Sequence, residues 1–108
     1  MFIGFERPDL FGYVGAVCPA PGLVEVAGSG MHPGQMTAEE MVFGEEKPYV
    51  FFISSSDSDG VVGSFPNDYR RIMTENETEY LSHVMKTTGH DHSSVKPHLY
   101  NYLQMLFK

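Results

Sequence analysis

Basic residues, cysteine and long apolar runs are all scarce in this chain, and each scarcity closes off a class of protein. Seven lysines and arginines stand against fourteen aspartates and glutamates, for a net charge of -7. The five histidines add little at neutral pH, so a polyanionic partner such as nucleic acid is disfavoured. The single cysteine, Cys18, excludes an intrachain disulfide framework and leaves the redox compartment open. The longest apolar runs, such as Tyr49 to Ile53, fall far short of the ~20 residues that cross a bilayer, and no membrane partner is expected. The opening "MFIGFERPDLF" lacks a basic segment followed by an apolar one and does not read as a signal peptide, so localisation is unassigned. It starts instead as if inside an element, and a leader belonging to a longer parent would lie outside this chain. At 108 residues the chain is one small domain at most, with a modest core.

What is present is an alternation of strand and helix signals. "MFIGFERPDLF" reads as the last turn of a helix stopped at Pro8, since proline restricts the preceding residue and cannot extend the hydrogen-bond ladder. "YVGAVCPA", Tyr13 to Ala20, suits a short buried strand ended by Pro19 and Pro21. A Gly-, Pro- and Ser-rich loop follows from Gly22 to Gln35. Thr37 and Glu40 have capping-box spacing for a short helix running to about Phe43. "KPYVFFIS" is the clearest strand, a continuous apolar run of the kind found where both sheet faces are covered. Ser64 as cap, Pro66 in the first turn, and Phe65, Tyr69, Ile72 and Met73 at helical spacing predict a helix that ends at "TENET". "EYLSHVMK", Glu79 to Lys86, suits a third strand and "TTGHDHSS" a loop. A last helix opens at Pro97 with Leu99, Tyr102, Leu103 and Leu106 on one face.

Strands separated by helices predict an α/β fold with a parallel sheet. Three parallel strands and about three helices leave edges and faces uncovered, so the expectation is a partial domain, residues 1 to 108 being the C-terminal part of a larger sheet.

In open α/β sheets, functional residues gather at the carboxyl ends of the strands. That edge collects Cys18 to Gly22, then Asp57 and Asp59, then His90, Asp91 and His92. An acid after one strand and a histidine after the next, about thirty residues on, is the layout of the acid and base of a Ser-His-Asp triad. The carboxylate must fix the imidazole tautomer and stabilise the imidazolium, so both must project onto one edge. Asp-Gly after a strand is also ordinary turn chemistry. The "HDH" run invites a metal reading as well, His90 and His92 with His98 or Asp91 as ligands. Without a spaced motif such as H-E-x-x-H the expectation is no metal, with His98 simply exposed on a helix. Cys18, at a strand end with no helix following, reads as a small pocket-lining or buried residue, and the methionines read as core filler.

Three blocks carry a resemblance: "RPDLFGYVGAVCPAPGL" (Arg7 to Leu23), "FFISSSDSDGVVGSFPNDY" (Phe51 to Tyr69) and "GHDHSSVKPHLYNYLQMLF" (Gly89 to Phe107). The chain resembles the C-terminal half of the xylanase Z-like esterases, the family of feruloyl esterase modules attached to xylanases. The third block resembles that family's Gly-His-Asp signature and the helix following it. The resemblance implies an α/β-hydrolase fold and carboxylic ester hydrolysis. It places the catalytic acid on Asp59 and the base on His90, with Asp57 and His92 as the nearest competitors. Cys18 and Pro19 become candidate substrate-binding residues, and no cofactor is implied. His92, Val95 and His98 stand where the family commonly has Phe, Trp and Gly, which bears on pocket shape rather than reaction class.

The nucleophile elbow G-x-S-x-G does not occur in these 108 residues, and neither Ser29 nor Ser64 has the motif's glycines two residues before and two after it. The resemblance puts that serine just upstream of Met1, so the chain is expected to be inactive alone. The alternative is a non-catalytic interaction subunit that associates through its exposed sheet edge, with a second copy or with the missing N-terminal half.

Overall fold

The seven residues Val50–Ser56 form the strand around which the rest is arranged (β2), and every one from Phe51 to Ser56 is buried. In the computed structural model, which describes residues 1–20, 22–23, 36–86 and 89–106, β2 pairs in parallel with Tyr13–Val17 (β1) on one side and Leu81–Met85 (β3) on the other. The sheet order is β1-β2-β3. The remaining elements are the helices Phe2–Glu6 (α1), Phe65–Glu75 (α2) and His92–Leu103 (α3), with a 3-10 turn at Ala38–Glu40. The α/β class, the parallel sheet and the helix–strand alternation agree with the sequence expectation.

Period-two alternation gives β2 two different faces. Phe51 and Ile53 join Phe5 of α1 and Tyr69, Ile72 and Met73 of α2 in the apolar core, together with Leu23, Met36 and Met41. Phe5 lies between Phe43 and Phe51, with ring centroids 4.8 and 4.9 Å away. On this face Ser55 accepts a 2.7 Å hydrogen bond from Arg70, whose guanidinium also reaches Ser82 on β3, so one cation ties α2 to two strands. The opposite face carries Phe52, Ser54 and Ser56 and is covered by α3. Tyr102 stacks on Phe52 at 5.9 Å. Gly15 permits that approach, because a β-carbon there would sit 2.8 to 2.9 Å from the Tyr102 ring.

Element boundaries moved in instructive ways. β2 starts at Val50, not Lys47, and runs on through the serines, because their hydroxyls find partners on both covering helices. The first strand stops at Val17, where Cys18 takes a left-handed φ of 44°. Ser64 makes no side-chain cap bond, although Pro66 does occupy the first turn of α2. The short helix after Thr37 is a single 3-10 turn, its start fixed by the Thr37 amide donating to Glu40 Oε2 at 3.0 Å. The last helix begins at His92 rather than Pro97, since Asp91 accepts from the Ser94 amide at 2.9 Å and caps it, leaving Pro97 inside. Most of the expected loop from Gly22 to Gln35 lies outside the described residues. No helix among the described residues is long and apolar enough to cross a membrane.

Candidate active site

The turn after β2 and the loop after β3 meet at the carboxyl edge of the sheet. In the first, Asp59 folds back on its own turn: its Oδ1 accepts from the amides of Val61 at 2.8 Å and Val62 at 2.9 Å. This local geometry is what an Asp followed by Gly60 favours. The carboxylate is thereby immobilised, and its side chain is fully buried. From the second loop, His90 donates Nδ1–H to Asp59 Oδ2 at 2.8 Å while its own side chain remains 40% exposed. The buried carboxylate fixes the tautomer, because ionised Asp59 offers only acceptors.

The loop bearing His90 is held on its far side by α3. Asp91 caps the helix, and the Gly89 amide donates to Ser94 Oγ at 3.2 Å. Burial raises the Asp59 pKa, but the Val62 amide, His90 and the Val61 amide outweigh it and hold the carboxyl below its ordinary range.

Of the two candidate acids, the fold brings Asp59 to His90. Asp57 is exposed, and its carboxylate accepts from the Ser58 hydroxyl at 3.1 Å. Of the two candidate bases, His92 is the first residue of α3, and its side chain lies outside the described ones. Cys18 is buried at the end of β1 and borders a cavity of about 170 Å³ shared with His90, Asp91, Ser94 and Val95. Pro19 is buried beside it and is not among the described residues lining that cavity.

His98 overturns an expectation. Rather than lying exposed on a helix, it is fully buried against β2. Its Nδ1 is hydrogen-bonded to Ser54 Oγ and its Nε2 to Ser56 Oγ at 3.0 Å, with Cys18 Sγ at 3.7 Å from Nε2. A neutral imidazole has one donor and one acceptor, and a serine hydroxyl can match either, so the group is satisfied without charge. Burial lowers the His98 pKa and keeps it neutral. Of the candidate ligand set, His98 is turned into the sheet and Asp91 Oδ1 caps the helix, while the His92 side chain lies outside the described ones. Sequence reading missed this network, although two signals were present. Ser54 and Ser56 alternate on one strand face, and Ser94, His98 and Tyr102 recur at four-residue spacing on one helix face.

No family model and no curated protein matches the chain. Among solved structures, two of a CE1 ferulic acid esterase from the anaerobic fungus Anaeromyces mucronatus do match, one without substrate and one in complex with ferulic acid. Each is 38% identical in sequence, superposes with a TM-score of 0.81 and covers 95% of this chain. The match spans 37% and 38% of the two esterase chains, little more than a third of their length. In fold and in sequence, this chain matches one part of a feruloyl esterase-like α/β-hydrolase.

Proposed function

We propose that the chain supplies the acid and base of a Ser-His-Asp triad for carboxylic ester hydrolysis, acting on feruloyl or acetyl esters linked to polysaccharide. The observation that carries this reading is the 2.8 Å bond from His90 Nδ1 to an Asp59 carboxylate already anchored by two amides. With Nδ1–H committed to Asp59, Nε2 is the basic nitrogen. It takes the proton of a serine hydroxyl as that oxygen attacks the ester carbonyl, and Asp59 stabilises the resulting imidazolium. The imidazolium then protonates the departing alcohol, and a water repeats the sequence to release the acid. Cys18, on the wall of the cavity beside His90, and Pro19 next to it are assigned to the substrate side of the site.

The serine, and the oxyanion-hole amide that follows it in an elbow, come from outside these 108 residues, which contain no G-x-S-x-G. The residues read as one partial domain, inactive alone. Purified chain is expected to hydrolyse p-nitrophenyl acetate no faster than its His90→Ala variant; a clear excess would overturn inactivity. Co-expression with an elbow-bearing fragment of a related esterase is expected to restore turnover that His90→Ala and Asp59→Ala each abolish. Restored turnover indifferent to both substitutions would refute the triad roles.

A second reading is favoured by two observations. β1 lies at the sheet edge, and Val95, Leu99 and Leu103 of α3 are 49%, 47% and 52% exposed. On that reading the chain is an interaction subunit that pairs through this edge with a second copy or with a missing N-terminal half. Size-exclusion chromatography discriminates, since a strictly monomeric, stable chain removes the self-association arm.

A further inference from the structure

The same sheet edge gathers a third polar atom that takes no part in the proton transfers of ester hydrolysis. Cys18 Sγ, a carboxylate oxygen of Asp59 and a ring nitrogen of His90 lie within 4.8 Å of one another. They come from three separate segments, the ends of β1 and β2 and the loop after β3, so no spacing in the sequence announces them. We propose that Cys18, Asp59 and His90 form a binding site for a thiophilic divalent cation, zinc being the archetype, with a fourth position open toward the cavity.

Donor set, geometry and surroundings all bear on this. One sulfur, one oxygen and one nitrogen suit a borderline-soft, tetrahedral ion. Bond lengths of about 2.0 to 2.3 Å place tetrahedral ligands about 3.5 Å from one another. The Asp59–His90 pair, now at 2.8 Å, would open slightly and Cys18 would close in, with side-chain shifts below about 1 Å. Asp59 suits the role because Oδ1 is held by the Val61 and Val62 amides, which leaves Oδ2 to face the ion. His98 Nε2 at 3.7 Å and Ser56 Oγ at 3.9 Å are placed to donate to a Cys18 thiolate, as outer partners of metal ligands commonly do. The cavity of about 170 Å³ beside Cys18 and His90 provides access.

A metal-bound cysteine is a thiolate, so binding releases the Cys18 proton. Such binding needs no nucleophilic serine and stands or falls apart from the esterase reading. In an assembled esterase, however, the ion would withdraw His90 from proton transfer.

Cys18 is the chain's one cysteine, which makes cobalt a decisive probe. Co²⁺ added to the purified, reduced chain is expected to give tetrahedral visible bands and a near-ultraviolet sulfur-to-cobalt charge-transfer band, both saturating at one equivalent and discharged by Zn²⁺. The charge-transfer band should vanish in Cys18→Ser. Zinc affinity, measured against a chromophoric chelator, should fall at least about tenfold in Cys18→Ser and in Asp59→Asn, and stay unchanged in His92→Ala. Binding without the charge-transfer band, binding that depends on His92 instead, or no zinc binding to the folded wild-type chain would each overturn the proposal. The wild-type cobalt spectrum alone suffices should a variant fail to fold.

Discussion

Replacing His98 by alanine tests the buried network behind the acid–base pair. The imidazole is fully buried and joined through both nitrogens to Ser54 and Ser56, themselves 0% and 5% exposed. Removing it strands the Ser54 hydroxyl and leaves Ser56 only its long 3.9 Å contact with Cys18 Sγ, at about 1–3 kcal/mol each where no water replaces the partner. It also leaves a cavity worth about 1–2 kcal/mol. A water that enters and bonds both serines would recover part of this, so the net expectation is a loss of about 3 kcal/mol. Urea unfolding followed by far-ultraviolet circular dichroism measures it. Ser54→Ala alone should cost about 1–2 kcal/mol by leaving Nδ1 unpaired. The double variant should then cost less than the sum of the two by about 1 kcal/mol or more, since the deleted partners no longer strand each other.

The pH dependence gives an independent check on His98. Burial depresses its folded pKa below the ordinary value of about 6.5. As pH falls through that unfolded value the unfolded chain takes up a proton that the folded chain refuses, so this contribution is present above about pH 6.5 and is lost below it. The slope is at most about 1.4 kcal/mol per pH unit, and His98→Ala should remove it. A loss under about 1 kcal/mol at neutral pH, with strict additivity in the double variant, would refute the view that the network is satisfied and structural.

Two further predictions follow from single side chains. Arg70→Met should loosen β3, whose tie to α2 runs through the Arg70 bonds to Ser82 and the His83 carbonyl. Hydrogen exchange at β3 amides is expected to quicken about tenfold, and unchanged protection there would show that strand pairing alone holds the edge. Asp59, whose folded pKa is lowered despite its burial, contributes stability that is present above its unfolded value of about 3.9 and lost as pH falls through the folded one. Acid titration of wild type against Asp59→Asn should therefore diverge below about pH 4, and parallel curves would contradict the role of the Val61 and Val62 amides.

The family resemblance and the reading of local patterns were both legible in the sequence. Pro8, Pro66 and the run from Tyr49 to Ile53 announce a helix end, a helix start and a buried strand, because backbone restriction and apolar periodicity act over neighbouring residues. Asp59 before Gly60 and His90 in a Gly-His-Asp motif were equally visible, since each is a local turn device placed after a strand. The resemblance pointed to Asp59 and His90, and the tertiary structure supplies the physical reason for the acid: an offset of two residues in a turn separates Asp57, exposed, from Asp59, buried on His90. It also turned His98 from an exposed helix position into the buried partner of two strand serines, and it brought Cys18 within reach of Asp59 and His90. Those outcomes depend on sheet order and on which face of β2 each helix covers. Contacts between segments tens of residues apart are fixed by packing; local spacing marks which face a residue lies on but not which partner it meets.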